Sequence, residues 1–297
     1  MYKRQAFIEN KNETLTPSDI DLLFSGLPKN GFMNANYSNV FFHPIECQEL
    51  DQYRSNVEKL SSKFKRSLAL ILLRRAMIRK MPYSRFTIDW VTIKKLRDED
   101  YSYRKYGRRR AYHNESFKDH ILYDVDSYNN AVFDNGQVNS TYNDDIFNLL
   151  GSVEADAIYL DPPYSGTMNN YFGFYGVLDE YVESKKLVPF ANNFVSKNQA
   201  LYLFEMLFSK LNNYKYWFLS YNNLSYPSKD SLVFLLQQFA PSVEVVEKKH
   251  VYKVTGKNNK KSNSEYVFIV NNSKRRRARD GTSNKKVFSQ KALLSAV

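Results

Sequence analysis

Cysteine is almost absent from this chain: Cys47 stands alone among 297 residues, so no internal disulfide can form. A lone thiol suits a reducing compartment, and the cytoplasm is the expected location. The four histidines, His43, His113, His120 and His250, show no metal-ligand spacing, and no metal is expected. Long apolar runs are missing too. The longest, Leu68 to Leu73, leads into Arg74 and Arg75, far short of the ~20 residues of a membrane span. The opening residues do not read as a secretory signal, and no membrane association is expected. Glycine is scarce: only 10 are present and no two form a G-x-G pair. The turn by which many α/β proteins bring backbone close to a nucleotide cofactor therefore has no counterpart here.

Hydrophobic residues make up 43% of the chain and aromatics 15%, enough for one large domain or two modest ones. Net charge is +12, and its distribution is uneven. Residues 53–110 carry 18 Lys and Arg against 5 Asp and Glu, and residues 273–297 carry 8 against 1, so the remainder is acidic at −8. A solvated basic face would account for some of this. Segregation of this degree favours a polyanion as partner, with double-stranded DNA the expectation.

Met1-Tyr2-Lys3-Arg4-Gln5 matches the peptide that a common sequencing-transposon end encodes when read from GTG, and these five residues are expected to be an artefact. Residues 6–50 are polar and rich in turns. Thr16-Pro17-Ser18-Asp19 reads as a helix start, and Asn30-Gly31 and Asn34-Ala35-Asn36 read as loops. Residues 51–81 predict one long helix, with Val57, Leu60, Phe64, Leu68 and Ile71 at spacings of three and four, ended by Pro82. From Leu68 the pattern is apolar all round, which predicts burial on more than one side. In Tyr101-Ser102-Tyr103-Arg104-Lys105-Tyr106-Gly107-Arg108-Arg109-Arg110, planar rings alternate with cations. Arg104, Arg108, Arg109 and Arg110 can pair with phosphates or base edges; a solvated basic loop is the other reading.

Later segments predict a helix over 197–211, a strand over Tyr216–Tyr221 ending in Asn222-Asn223, and a helix over 228–239. Two closing strands follow at Val243–Val246 and Tyr266–Val270, joined through a basic loop, Lys253–Lys261. The tail 273–297 is basic and expected to be disordered.

The stretch that orders the rest is Asp156-Ala157-Ile158-Tyr159-Leu160-Asp161-Pro162-Pro163-Tyr164. Its first half reads as a buried parallel strand. Proline lacks an N–H and has a fixed φ, so the strand cannot continue through Pro162 and Pro163, and Asp161 is held extended. What results is a stiff turn offering a carboxylate, bare carbonyls and a ring at the carboxyl end of a strand, where open α/β sheets bind ligands. An ordinary proline turn is the plain alternative.

Asp161-Pro162-Pro163-Tyr164 resembles the catalytic motif of DNA amino-methyltransferases. With Asn143-Asp144-Asp145 upstream and Ser220-Tyr221-Asn222 downstream, the chain resembles the D12-class, α-type N6-adenine methyltransferases of restriction–modification systems over about residues 30–270. The resemblance implies an α/β fold: a Rossmann-like sheet of the S-adenosylmethionine-dependent methyltransferases, incomplete at its N-terminus, with a mainly helical, basic DNA-recognition region. The implied division is 1–50 as a remnant of the N-terminal catalytic part, 51–138 as the target-recognition region, 139–272 as the catalytic core and 273–297 as the tail. S-adenosylmethionine is the implied cofactor and N6 of a flipped-out adenine the implied acceptor.

Residue by residue, the resemblance implies catalytic roles for Asp161, Pro162 and Tyr164, and cofactor contacts from Asp161 and from Asp145, with Asp144 as second choice; for either of that pair a helix N-cap is the alternative. It implies substrate contacts from Pro163, Tyr171 and Asn222, with Asn222 also readable as a turn asparagine. The segment Ser165–Tyr175 reads as a lid over the base or as packed core. The family's glycine-rich cofactor loop has no match here, which implies a fragment or a second subunit supplying it. Cytosine N4, RNA or a protein glutamine are rival substrates, though the Asp-first motif argues against cytosine and glutamine. A DNA-binding subunit without its own activity is the rival of another class.

Overall fold

Capping residues set most of the helix boundaries in the computed structural model, which describes residues 6, 8–107, 115–165, 171–189, 193–249 and 263–272. The chain divides into two units, one of residues 1–144 with 170–190, the other of residues 145–169 with 191–297. The 139–272 segment is thus shared between them.

Among the described residues the first unit is helical. Helix α1 (Pro17–Leu23) starts at Thr16 as expected: its hydroxyl accepts from Asp19 N, the Asp19 carboxylate accepts from Thr16 N, and Pro17 takes the first helical position. Helix α2 (Phe32–Tyr37) occupies a stretch whose asparagines read as a loop. The reason is tertiary: Asp51, from the next helix, accepts from the amides of Gly31, Met33 and Asn34 and so replaces a local cap. A Cβ on Gly31 would lie 2.8 Å from the Asp51 carboxyl carbon, so the position is confined to glycine.

The long helix expected over 51–81 is two helices, α3 (Pro44–Val57) and α4 (Lys63–Lys80). The break falls where Ser62 Oγ accepts from Lys65 N and begins a new helix. Arg66 Nε then donates to the Leu60 carbonyl left free by the interruption. The second half of the reading holds: Leu68, Ala69, Leu70, Leu72, Leu73, Ala76 and Met77 are all buried, on more than one side of α4, and Arg75 is left exposed. Helices α5 (Trp90–Arg97), α6 (Glu99–Tyr106) and α7 (Phe117–Asn130) follow, each started by an Asp or Ser that accepts from the amide three residues on. The core around α3 and α4 also takes in α9 (Tyr171–Glu183), through Val177, Leu178, Tyr181 and Val182. Tyr181 is fully enclosed, and its hydroxyl donates to the Leu50 carbonyl at 2.9 Å.

The second unit holds α8 (Ile146–Leu149), strand β1 (Ala157–Leu160), α10 (Lys197–Ser209), β2 (Tyr216–Asn222), α11 (Lys229–Phe239), β3 (Val243–Lys249) and β4 (Ser264–Asn271). Its strands form a four-stranded mixed sheet in the order β1-β2-β4-β3. β1 runs parallel to β2, with Leu160 opposite Leu219, while β4 is antiparallel to both β2 and β3. The alternation of β4 is strict: Ser264, Tyr266, Phe268 and Val270 are buried. With Trp217, Leu219, Tyr221, Phe204, Phe208, Leu232 and Leu236 they make this unit's core.

The chain is therefore mixed α/β, as expected. One part of that expectation is corrected. β1 is not an enclosed strand: it is four residues long and, among the described residues, lies at the edge of the sheet, with Tyr159 63% exposed. Leu160 is its one buried residue, and Ile158 is half-buried against the same core. The loop at 253–261 and the tail at 273–297 lie outside the described residues. No helix among the described residues is long and apolar enough to cross a membrane.

Candidate active site

Strand direction brings the candidate residues of the second unit to one edge of its sheet. β1 and β2 are parallel, so Asp161 follows Leu160 at the same end where β2 delivers Ser220, Tyr221 and Asn222. β4 runs the other way, so its first residues arrive there: Glu265 is opposite Asn222 and Val267 opposite Ser220. Asp161 and Pro163 are exposed, Pro162 and Tyr164 half-buried, and Ser165 fully buried with Oγ donating to the Val195 carbonyl at 3.0 Å. The two prolines thus cross from solvent to core in four residues, leaving the carboxylate outside and anchoring the turn at Ser165.

Tyr164 is held at both ends. Its ring meets Tyr221 edge-on, with centroids 5.3 Å apart and planes at 83°. Its hydroxyl lies 3.3 Å from Ser220 Oγ and 3.3 Å from Glu265 Oε2. Burial pushes the phenol up to about 12; the nearby Glu265 and Asp161 charges add to this, and the Ser220 hydrogen bond opposes it. The hydroxyl is thus neutral at any physiological pH. Tyr221 in turn packs on Phe204 at 5.6 Å, and its own hydroxyl donates to the Tyr226 carbonyl.

Asn222 is buried, and its Oδ1 accepts from Leu224 N at 3.0 Å, closing the turn that ends β2. Asp145 sits at the start of α8: its Oδ1 accepts from Phe147 N at 2.8 Å, which is the capping geometry. Both were candidates in the sequence, and the structure gives each a local hydrogen bond of the plainer kind.

Other candidates lie elsewhere. Tyr171 opens α9 in the first unit, exposed, with its ring 5.1 Å from Tyr175. Arg104 is exposed on α6, Nε donating to the Asp100 carbonyl at 3.2 Å. On the same helix Lys105 Nζ stands 5.4 Å from the Tyr101 ring centroid and 5.5 Å from that of Tyr106, so rings and cations do alternate in space there. Arg108, Arg109 and Arg110, and the segment 166–170 of the expected lid, lie outside the described residues.

One residue of this site carried no mark in the sequence reading, Glu265. Glu265 had a usable signal. It is the one charged residue of β4, on the half-buried face shared with Val267 and Ile269, where an acid costs desolvation unless something uses it.

Comparison with known proteins shows the family of the chain. A family model described as D12 class N6 adenine-specific DNA methyltransferase matches residues 5–232. The chain is 57% identical over 267 residues to the Type II methyltransferase M2.HphI of Haemophilus parahaemolyticus, covering 90% of this chain and 80% of that protein. It is 26% identical over 160 residues to the modification methylase StsI of Streptococcus sanguinis, covering 50% of this chain and 24% of that protein. No solved structure matches.

Proposed function

The chain belongs to the D12-class N6 adenine-specific DNA methyltransferases, and from that premise we propose that the turn at Asp161–Tyr164 is where the adenine amine is held and methylated. The observation that carries the proposal is the placement of Asp161. Its carboxylate is exposed at the end of β1, on a turn stiffened by two prolines, at the same end of the sheet as Ser220, Asn222 and Glu265.

The methyl donor implied by the family is S-adenosylmethionine. The residues present suit part of it: Asp161 and Asp145 are exposed carboxylates, of the charge that a sulfonium and ribose hydroxyls attract. No G-x-G turn is available for its methionine end. When bound, the group supplies an electrophilic methyl.

Everything else falls to the chain and the base. The amine of adenine is a poor nucleophile because its lone pair is delocalised into the ring. The Asp161 carboxylate and the Pro162 carbonyl would each accept one of its hydrogens, which would turn the lone pair out of the ring plane, and the proton the amine gives up on gaining a methyl would leave to solvent from this exposed turn. Proline at 163 leaves the Pro162 carbonyl with no N–H of its own peptide unit nearby. Tyr164 stacks on the extruded base, a contact worth ~1–3 kcal/mol. Holding the two reactants in line supplies much of the acceleration, and no covalent enzyme intermediate is needed. The sheet in this reading is one half of a Rossmann-like methyltransferase sheet, and the helical unit, with Arg104 and the basic run after it, reads the duplex. The setting is a bacterial or phage restriction–modification system acting in the cytoplasm.

Asp161→Ala is expected to abolish adenine methylation while duplex affinity stays within a few-fold. Digesting the product DNA to nucleosides measures the first, and a binding titration the second. Retained methylation of adenine by the variant would overturn the role. A second reading is that a partner subunit carries the cofactor turn, and the missing G-x-G pair favours it. Titration calorimetry with S-adenosylmethionine decides: micromolar binding by this chain alone rejects the split enzyme.

A further inference from the structure

We propose that Glu265 is a positioning residue for the motif tyrosine: it fixes the plane of the Tyr164 ring on which the target base stacks. The inference rests on the function proposed above and extends it to a residue far along the chain.

The hydrogen-bond chemistry at Tyr164 has one consistent direction. An ionised carboxylate can only accept, so across the 3.3 Å contact with Glu265 Oε2 the phenol donates. A phenol has a single hydrogen, so at the other 3.3 Å contact the Ser220 hydroxyl donates to Tyr164. The chain runs Ser220 to Tyr164 to Glu265. Two hydrogen bonds approaching one hydroxyl from different strands leave the ring little freedom to turn.

The sheet makes this possible only here. Asn222 pairs with Glu265 and Ser220 with Val267, so Ser220 and Glu265 project from the same face, one diagonal step apart across β2 and β4. At Tyr221 the edge-on ring contact of 5.3 Å supports the ring body rather than its tip. A phenylalanine at 164 would keep the stacking surface and lose the tether. The hydroxyl is therefore used for aim, and Glu265 is the group that makes it an aiming device.

A double-mutant cycle tests this. Tyr164→Phe and Glu265→Ala are each expected to lower the single-turnover methylation rate about tenfold, the scale of one charge-assisted hydrogen bond. The double variant should fall no further than either single one, because both remove the same contact. Glu265→Gln, which keeps an acceptor, should return to within about threefold of the wild type. A duplex with 2-aminopurine at the target position gives a second readout that needs no methyl transfer. Each single variant should show weaker quenching of the extruded base at saturating protein. Losses that multiply in the double variant, or unchanged quenching in Glu265→Ala, would overturn the proposal. If Glu265→Ala fails to fold, Glu265→Leu, which removes the acceptor and keeps most of the volume, takes its place in the cycle. A wild type that extrudes the base but methylates nothing would count against the catalytic reading alone.

Discussion

Arg97 and Glu46 face each other two-pronged within the first unit: Nη1 donates to Oε2 at 2.9 Å, and Nη2 donates to Oε1. Lys80 Nζ approaches the same Oε1 at 2.9 Å and also donates to the Glu115 carbonyl. One buried carboxylate thus ties α3 to α4 and α5, with three side chains that are each nearly out of solvent. Burial alone would raise the Glu46 carboxyl. The Arg97 hydrogen bonds and the Lys80 charge outweigh it and hold the group at about 2. Burial draws the Lys80 ammonium down, in the opposite sense for a pair. The carboxylate is the group of this pair whose shift bears on stability in acid.

Glu46 is therefore expected to make this protein acid-sensitive in a defined window. A carboxyl held low when folded contributes stability above its unfolded value, 4.5, and loses it as pH falls toward about 2. The total at stake is about 3 kcal/mol. Glu46→Ala should cost roughly 3–5 kcal/mol at pH 7, since it leaves Lys80 and Arg97 buried together without an anion. Urea unfolding at pH 7 and pH 3 checks both: the gap between variant and wild type should narrow at the lower pH. A constant gap would mean that packing, not charge, is what the carboxylate contributes.

Ser184, just past α9, has φ of 52°, the left-handed region in which a Cβ is strained. Its amide donates to the Tyr181 carbonyl and the next amide to that of Glu180, so the conformation is needed to close the helix. Ser184→Gly should stabilise the protein by roughly 0.5–1 kcal/mol, and Ser184→Ala should not. Urea midpoints of the two variants measure the difference; equal midpoints would show that the strain is relieved elsewhere.

Asp145 separates a structural role from a binding one by its choice of substitute. Asp145→Ala should lose the cap of α8, about 1 kcal/mol. Asp145→Ser should restore the cap, because the serine hydroxyl also accepts from the second amide on. If the carboxylate contacts the cofactor, Ser restores the melting temperature but not S-adenosylmethionine affinity. Restoration of both would leave Asp145 as a cap alone.

Much of this arrangement could be read from local chemistry. Thr16, Ser228 and Pro17 mark helix starts because a cap is a contact between residues two or three apart. Asp161 could be singled out because two prolines stiffen their own neighbourhood whatever lies around them. The break between α3 and α4 was harder: the apolar spacing runs through it, with Leu60 buried between the two helices, and Ser62 caps α4 within that run. The helix at Phe32 needed Asp51, about twenty residues away, to cap it.

The rigid carboxylate turn, the segregation of positive charge and the helix starts with a local cap were legible in the chain alone, because each rests on neighbouring residues. Three features came from the folded chain: β1 lies at the edge of the described sheet, α9 packs with the helical unit, and Glu265 meets Tyr164. Each of those depends on strand order, register or core packing between segments distant along the chain. The pairing of Asn222 with Glu265 is such a choice: sliding β4 by one residue would turn the acid to the opposite face, and no local rule forbids it.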